Sequence, residues 1–257
     1  MRINKFIASA TTLSRRAADV AITAGRVRVD GVPAQQGMDI SEGSKVTLDN
    51  RAITPAVNTI TIMFNKPRGY VVSRDGQGSE TIYDILPAEY HQLNPVGRLD
   101  KDTSGLLLLT NDGELANQLT HPKYQKNKVY EVVLDKPLQP LHQQMIADIG
   151  VQLEDGPSQF LISKIDNRAQ HGHERVASGG VEATLERSNE STPRGARPSS
   201  EKNVLDAVYE VTLHEGRNRQ IRRTFAALGY TVTRLHRTQF GNYTLSGLAP
   251  REFKSVL

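Results

Sequence analysis

The sequence predicts an α+β protein, with a small N-terminal module of helix and strand followed by a larger domain on a mixed, mostly antiparallel sheet. Three observations point there. Apolar residues near the N-terminus recur at helical spacing, short alternating runs follow along the chain, and no regular strand–helix alternation of a doubly wound fold appears. At about 150 residues per domain, 257 residues suit one medium and one small domain.

Ile3, Phe6 and Ile7 fit a first helix. Ser14 is placed to cap a second helix over 15–24, with Ala17, Val20 and Ala21 on its apolar stripe and Gly25 as the left-handed residue that ends it. Val27 and Val29 then alternate with Arg26 and Arg28 into an Asp30-Gly31 turn, and 45–48 form another short strand. The predicted domains are 1–54, a linker over 55–60, and 61–257. The larger domain opens with a strand at 60–64, continues with the apolar run Leu106 to Leu109, and includes strands around Tyr130 and over 206–214. Residues 215–223 run into a helix ending near Gly229, with Ile221, Phe225 and Leu228 as its buried stripe. Residues 166–203 have few large apolar side chains and six acids against six Lys or Arg, the composition of a disordered insertion.

Composition narrows the chemistry. No cysteine means no disulfide, no thiolate nucleophile and no Cys-ligated metal, and the seven histidines are scattered, so no metal is expected. A mean hydropathy of -0.46, no apolar run of bilayer length and no apolar leader after Met1 lead to the expectation of a cytoplasmic protein without a membrane partner. The net charge is only +4, so its distribution matters more than its sum.

Two constellations could carry chemistry. In 97–105, Asp100 and Asp102 stand two apart in a Gly-flanked turn, where they either cap the turn or form a carboxylate pair for acid–base work. In 214–240 there are six Arg against one Glu, a net of +5, which reads as a phosphate or carboxylate site or as a solvated basic face. A smaller basic feature is Arg15 and Arg16 in the first turn of the second helix, where the macrodipole is positive and a nucleic-acid phosphate would bind favourably. Residues 1–60 carry eight Lys or Arg against five acids.

The stretches RINKFIASA and SRRAADVAITAGRVRVDG resemble the S4 RNA-binding module, which accompanies proteins of many activities. Across the rest of the chain, four blocks in order resemble the RsuA/RluB/RluE/RluF family of rRNA pseudouridine synthases. That family reads NKPxGY, GRLDxDTxGLLLLTxDGELxxxLxHP, KxYxV and EGRxRQIRR. Here the blocks stand at 65–70, 97–122, 128–132 and 215–223. The stretch GVQLEDGP at 150–157 is similar to the large-subunit branch and LAPREF at 248–253 to the small-subunit branch, so both substrates remain open, with 23S rRNA favoured over 16S.

The resemblance implies a base-flipping isomerase that turns uridine into pseudouridine without a cofactor. It implies Asp100 as the essential aspartate, Tyr130 as the aromatic that contacts the base, and Arg222 as the partner that keeps Asp100 ionised. Arg98 would fill the space left by the flipped base. Lys66, Arg68, Arg219 and Arg223 would bind phosphates, with Arg15 and Arg16 adding affinity from the S4 module. The partner is then ribosomal RNA or a ribosome assembly intermediate, and the protein is expected to act as a monomer. The competing readings are a non-catalytic RNA binder and a hydrolase using Asp100 and Asp102 together.

Overall fold

A computed structural model describes residues 1–55, 59–165 and 207–256. Half of the expected linker at 55–60 and the whole expected insertion at 166–203 lie outside the described residues. The architecture is α+β, and the chain divides into two compact units. One comprises Met1–Lys101, Gly105–Tyr124 and Gly247–Leu257, and the other Asp102–Ser104 and Gln125–Ser246.

The first unit begins with helices α1 (Ile3–Ala10) and α2 (Arg15–Thr23). Ile3 and Ile7 lie one turn apart on α1 and are fully buried. The Ser14 hydroxyl accepts from the Ala17 backbone N–H at 3.1 Å, as expected of an N-cap. At the other end Gly25 has φ +70, its N–H reaches the Ile22 carbonyl, and the Arg26 N–H reaches Ala21, which together form a Schellman cap. The buried face of α2 differs from the expected one. Ala18, Ala21 and Ile22 are inside, and Val20 is 69% exposed. Ala17-Val20-Ala21 and Ala18-Ala21-Ile22 both satisfy helical spacing, and the face carrying Ile22 buries more apolar surface against the isoleucines of α1.

Strands β1 (Val27–Val29) and β2 (Val32–Pro33) form the expected hairpin, with Asp30 and Gly31 both at positive φ. Strands β3 (Val46–Leu48) and β4 (Arg51–Ala52) complete a sheet of order β2-β1-β3-β4. Val27, Val29 and Val46 join the helix residues in its core.

Further along the same unit, β5 (Thr61–Lys66) pairs antiparallel with β7 (Ser104–Thr110) on one side and β15 (Phe253–Val256) on the other. The short β6 (Asn94–Pro95) pairs with the far end of β7. Leu106 to Leu109 are fully buried, which explains why this strand reads as a continuous apolar run rather than an alternating one. Asp112 caps α3 (Gly113–Thr120), its carboxylate accepting from the N–H groups of Glu114 and Leu115.

The second unit is built on antiparallel strands in the order β11-β12-β8-β13, namely Leu161–Lys164, Val208–Leu213, Lys128–Leu134 and Val232–Phe240. β14 (Tyr243–Thr244) turns back on β13. α4 (Pro140–Gln144) runs into one π-helical turn and then into the hairpin β9 (Val151–Leu153) and β10 (Gly156–Ser158). α5 (Gln220–Ala227) follows β12. Its buried stripe contains Ile221 and Phe225 as expected, but Gln220 and Thr224 complete it and Leu228 stays half-buried. The two polar residues are tolerated because both meet the Ser158 hydroxyl, Gln220 Nε2 donating at 3.1 Å and Thr224 Oγ1 lying at 2.7 Å.

Candidate active site

In the first unit, the GRLD loop follows β6 and is fastened by Val96 and Leu99, both buried. Asp100 is half-buried beside them, and Arg98 and Arg68 are exposed. Lys66 occupies a different place from the one expected of a phosphate ligand. It is fully buried at the end of β5, and its ammonium donates to the carbonyls of Pro67 at 3.0 Å and Asp100 at 3.1 Å. The Gly69 N–H donates to the Lys101 carbonyl at 2.7 Å. The NKPRGY block therefore holds the backbone of the aspartate loop at two successive residues. The long apolar stem of Lys66 lets the charge sit at the strand end, and charge-assisted bonds to carbonyls offset its burial.

In the second unit, Tyr130 lies on the central strand β8, opposite Val211 on β12 and Arg237 on β13, and is 8% exposed. Arg237, which sequence reasoning noted only as part of a charge cluster, is 2% exposed, with its guanidinium 4.8 Å from the Phe240 ring centre. Its position opposite the KVYEV block was hidden because pairing partners on a sheet cannot be read from spacing along one strand. Lys128 is also engaged, donating to the carbonyls of His214 and Glu215 and so anchoring the start of the EGRNRQ loop. Burial, helped by the Arg237 charge, pulls its pKa down.

The arginine block is largely paired by acids drawn from elsewhere in the sequence. Arg219 grips Asp102 with two parallel bonds of 3.0 Å. Arg222 donates to the Val232 carbonyl at 2.9 Å and the Asp102 carbonyl at 3.0 Å. Its Nε lies 3.2 Å from the Asp102 carboxylate but off the line of a hydrogen bond, a charge contact rather than a directed one. Arg223 grips Asp155 at 3.1 and 2.7 Å, while Arg217 reaches the same carboxylate and the carbonyls of Gly156 and Pro157. The loop between β9 and β10 is thus tied to α5. Counting charge along 214–240 alone overstates the free positive charge, because Asp102 and Asp155 come from outside that window.

Burial alone would raise the pKa of Asp102, but the hydrogen bonds from Arg219 and the charges of Arg222 and Arg219 hold it below the ordinary carboxylate range. A carboxylate held ionised in this way is a poor proton donor, so in a pair with Asp100 it could serve only as the base or nucleophile. Two residues further on, the Ser104 hydroxyl lies 2.9 Å from His236 Nδ1. Burial, with the neighbouring Arg234 charge, pulls the His236 pKa down, and Glu131 opposes this.

The structure therefore brings Lys66 to the Asp100 backbone in one unit, and Arg219 and Arg222 to Asp102 in the other. Asp100 belongs to the first unit, Tyr130 and Arg222 to the second. Arg15 and Arg16 are exposed in the first turn of α2, as their positions imply. Among the described residues, no cluster of His, Asp or Glu is arranged to hold a metal ion, and no helix is long and apolar enough to cross a membrane.

Residues 60–227 match the RNA pseudouridylate synthase family, and residues 1–54 match the S4 domain. The chain belongs to the RNA pseudouridylate synthase family. The isomerase activity anticipated from its four blocks is that of the family. The chain is 31% identical over 252 residues to ribosomal large subunit pseudouridine synthase B of Bacillus subtilis, covering 96% of this chain and 88% of that protein. It is 34% identical over 261 residues to the protein of the same name from Xanthomonas campestris, covering 98% of this chain but 45% of that longer relative. A crystal structure of a pseudouridylate synthase superposes with a TM-score of 0.62 at 27% identity, covering all of this chain and 96% of the other.

Proposed function

We propose that the protein converts a uridine of large-subunit ribosomal RNA into pseudouridine, with Asp100 as the essential carboxylate, Tyr130 as the base-contacting aromatic and Arg222 as the partner of Asp100. The observation that carries this reading is the family match over 60–227, which spans all three residues. The names of the relatives favour the large subunit over the small one. A mass-neutral isomerisation needs no redox group and no external donor, so no cofactor enters the scheme.

In this mechanism the N-glycosidic bond breaks, the freed uracil turns, and its C5 bonds to the ribose C1′. The C5 proton leaves and N1 gains one, so atoms balance. The Asp100 carboxylate serves either as nucleophile or as the base that takes the C2′ proton, and both roles need it ionised. The Arg222 guanidinium supplies the charge that keeps it so. Tyr130 stacks on the free base to retain it, and its phenol is the candidate acceptor of the C5 proton. The target leaves its stack at a cost of about a few kcal/mol, and Arg98, exposed on the GRLD loop, inserts in its place.

Phosphate contacts fall to the exposed Arg68, Arg15 and Arg16. Arg219 and Arg223 begin from carboxylate pairs that a phosphate must displace, a small cost for pairs this exposed. Domain 1–54 supplies register and 61–257 the chemistry. The protein acts as a cytoplasmic monomer on rRNA or an assembly intermediate.

The test is an incubation of the purified protein with large- and small-subunit rRNA labelled with tritium at uridine C5. Tritium release without free uracil or strand breaks, from large-subunit RNA only, is the expected result. Asp100→Asn abolishes it while RNA binding and the thermal transition persist. Release of free uracil instead would establish a hydrolase.

A further inference from the structure

We infer that Asp102 is the positioning residue for the arginine face of the active site, setting the orientation of Arg222 and holding Arg219 at the start of α5. The inference rests on the function proposed above and assigns a role to a residue that the reaction scheme leaves unused.

Arg222 is a long side chain with several rotamers, and the second unit fixes it at three points. Two of these, the carbonyl and the carboxylate, belong to Asp102, and the third is the Val232 carbonyl. Its guanidinium is mostly buried, so the orientation set by these contacts is not averaged by solvent. Arg219 precedes α5 with φ +47 and ψ +28, a region that residues with side chains seldom adopt. No side-chain cap closes that helix end, and the two parallel bonds to Asp102 hold Arg219 there. One carboxylate therefore fixes two guanidiniums three residues apart, one turn along the helix.

An amide at this position presents one acceptor and one donor group to two cations that can only donate. Asp102→Asn thus breaks the fork to Arg219 and removes the Asp102 charge from beside Arg222, while changing side-chain volume little. A guanidinium displaced by about 1 Å is enough to cost about 100-fold in a reaction that depends on its direction. RNA affinity should change little, because Arg219 keeps its charge for a phosphate, the exposed pair it gives up is weak, and the other phosphate contacts lie elsewhere. This separates positioning from binding.

The experiment is single-turnover pseudouridine formation on large-subunit rRNA by wild type, Asp102→Asn and Asp102→Glu, with melting curves for each. The expected result is a rate at saturating RNA lowered about 10- to 100-fold in Asp102→Asn, with the half-saturating RNA concentration within about threefold of wild type. Asp102→Glu, which keeps the charge and both acceptors, restores a substantial part of the rate. A rate within twofold of wild type in Asp102→Asn overturns the inference. So does a loss confined to half-saturation, or an equal loss in both variants at an unchanged melting temperature. Should Asp102→Asn fail to fold, Asp102→Glu decides alone, since a folded variant without activity contradicts a role carried by charge and acceptor geometry. An inactive wild type would instead refute the proposed function, an outcome distinct from every one of these.

Discussion

Lys66 and Arg68 stand two positions apart in one motif and have opposite environments, one fully buried and one exposed. Sequence gives both a positive charge and so the same role; only the structure shows that the Lys66 ammonium serves backbone carbonyls. Replacing it by Met should leave the Pro67 and Asp100 carbonyls without this donor and destabilise the protein by about 1–3 kcal/mol. Urea unfolding checks this, and an unchanged midpoint would show that the bonds contribute nothing net. Asp100, Tyr130 and Arg222 could be singled out because four ordered blocks name them, whereas Asp102 and Asp155 could not be matched to their arginines. Those pairs join residues 117 and 68 positions apart, and no local period encodes such contacts.

Elements defined by local chemistry were the most legible. The Ser14 cap, the Gly25 stop and the Asp30-Gly31 turn all follow from groups within five residues of one another. Helix faces were less so, because α2 offers two adjacent apolar stripes and α5 fills its stripe with Gln220 and Thr224, whose hydrogen-bond partner Ser158 lies on β10. Strand β13 carries a consequence for pH. His236 has a folded pKa below the ordinary value of 6.5, so the unfolded chain binds its proton more readily. Its contribution is complete above about pH 6.5 and is lost as pH falls from there towards the folded pKa. In urea titrations between pH 5 and 7, wild type should lose more stability on acidification than His236→Gln. Equal pH dependence in the two proteins would show that the burial of His236 does not set it.

For the molecule as a whole, a net charge of +4 is small for a protein that must hold RNA, and where the arginines are densest, at α5, carboxylates already offset them. On the proposed reading, affinity then depends on exposed cations such as Arg15 and Arg16. Arg15→Ala and Arg16→Ala should each weaken binding by a similar factor on any RNA sequence and lower the slope of log affinity against log salt by about 0.7–0.9. Anisotropy titrations across a salt series measure that slope, and an unchanged value would remove α2 from the interface. The α+β class and the order of the parts were legible from the whole sequence because composition and ordered blocks survive without contacts. The identity of the target uridine was not, since it depends on how the RNA fits the finished surface. The central claim is that Asp100 drives isomerisation of an rRNA uridine, and carbodiimide mapping of rRNA tests it most directly, in cells lacking this gene and complemented with wild type or Asp100→Asn. The account predicts that a large-subunit pseudouridine disappears and returns only with wild type; no missing site, or one restored equally by Asp100→Asn, would contradict it.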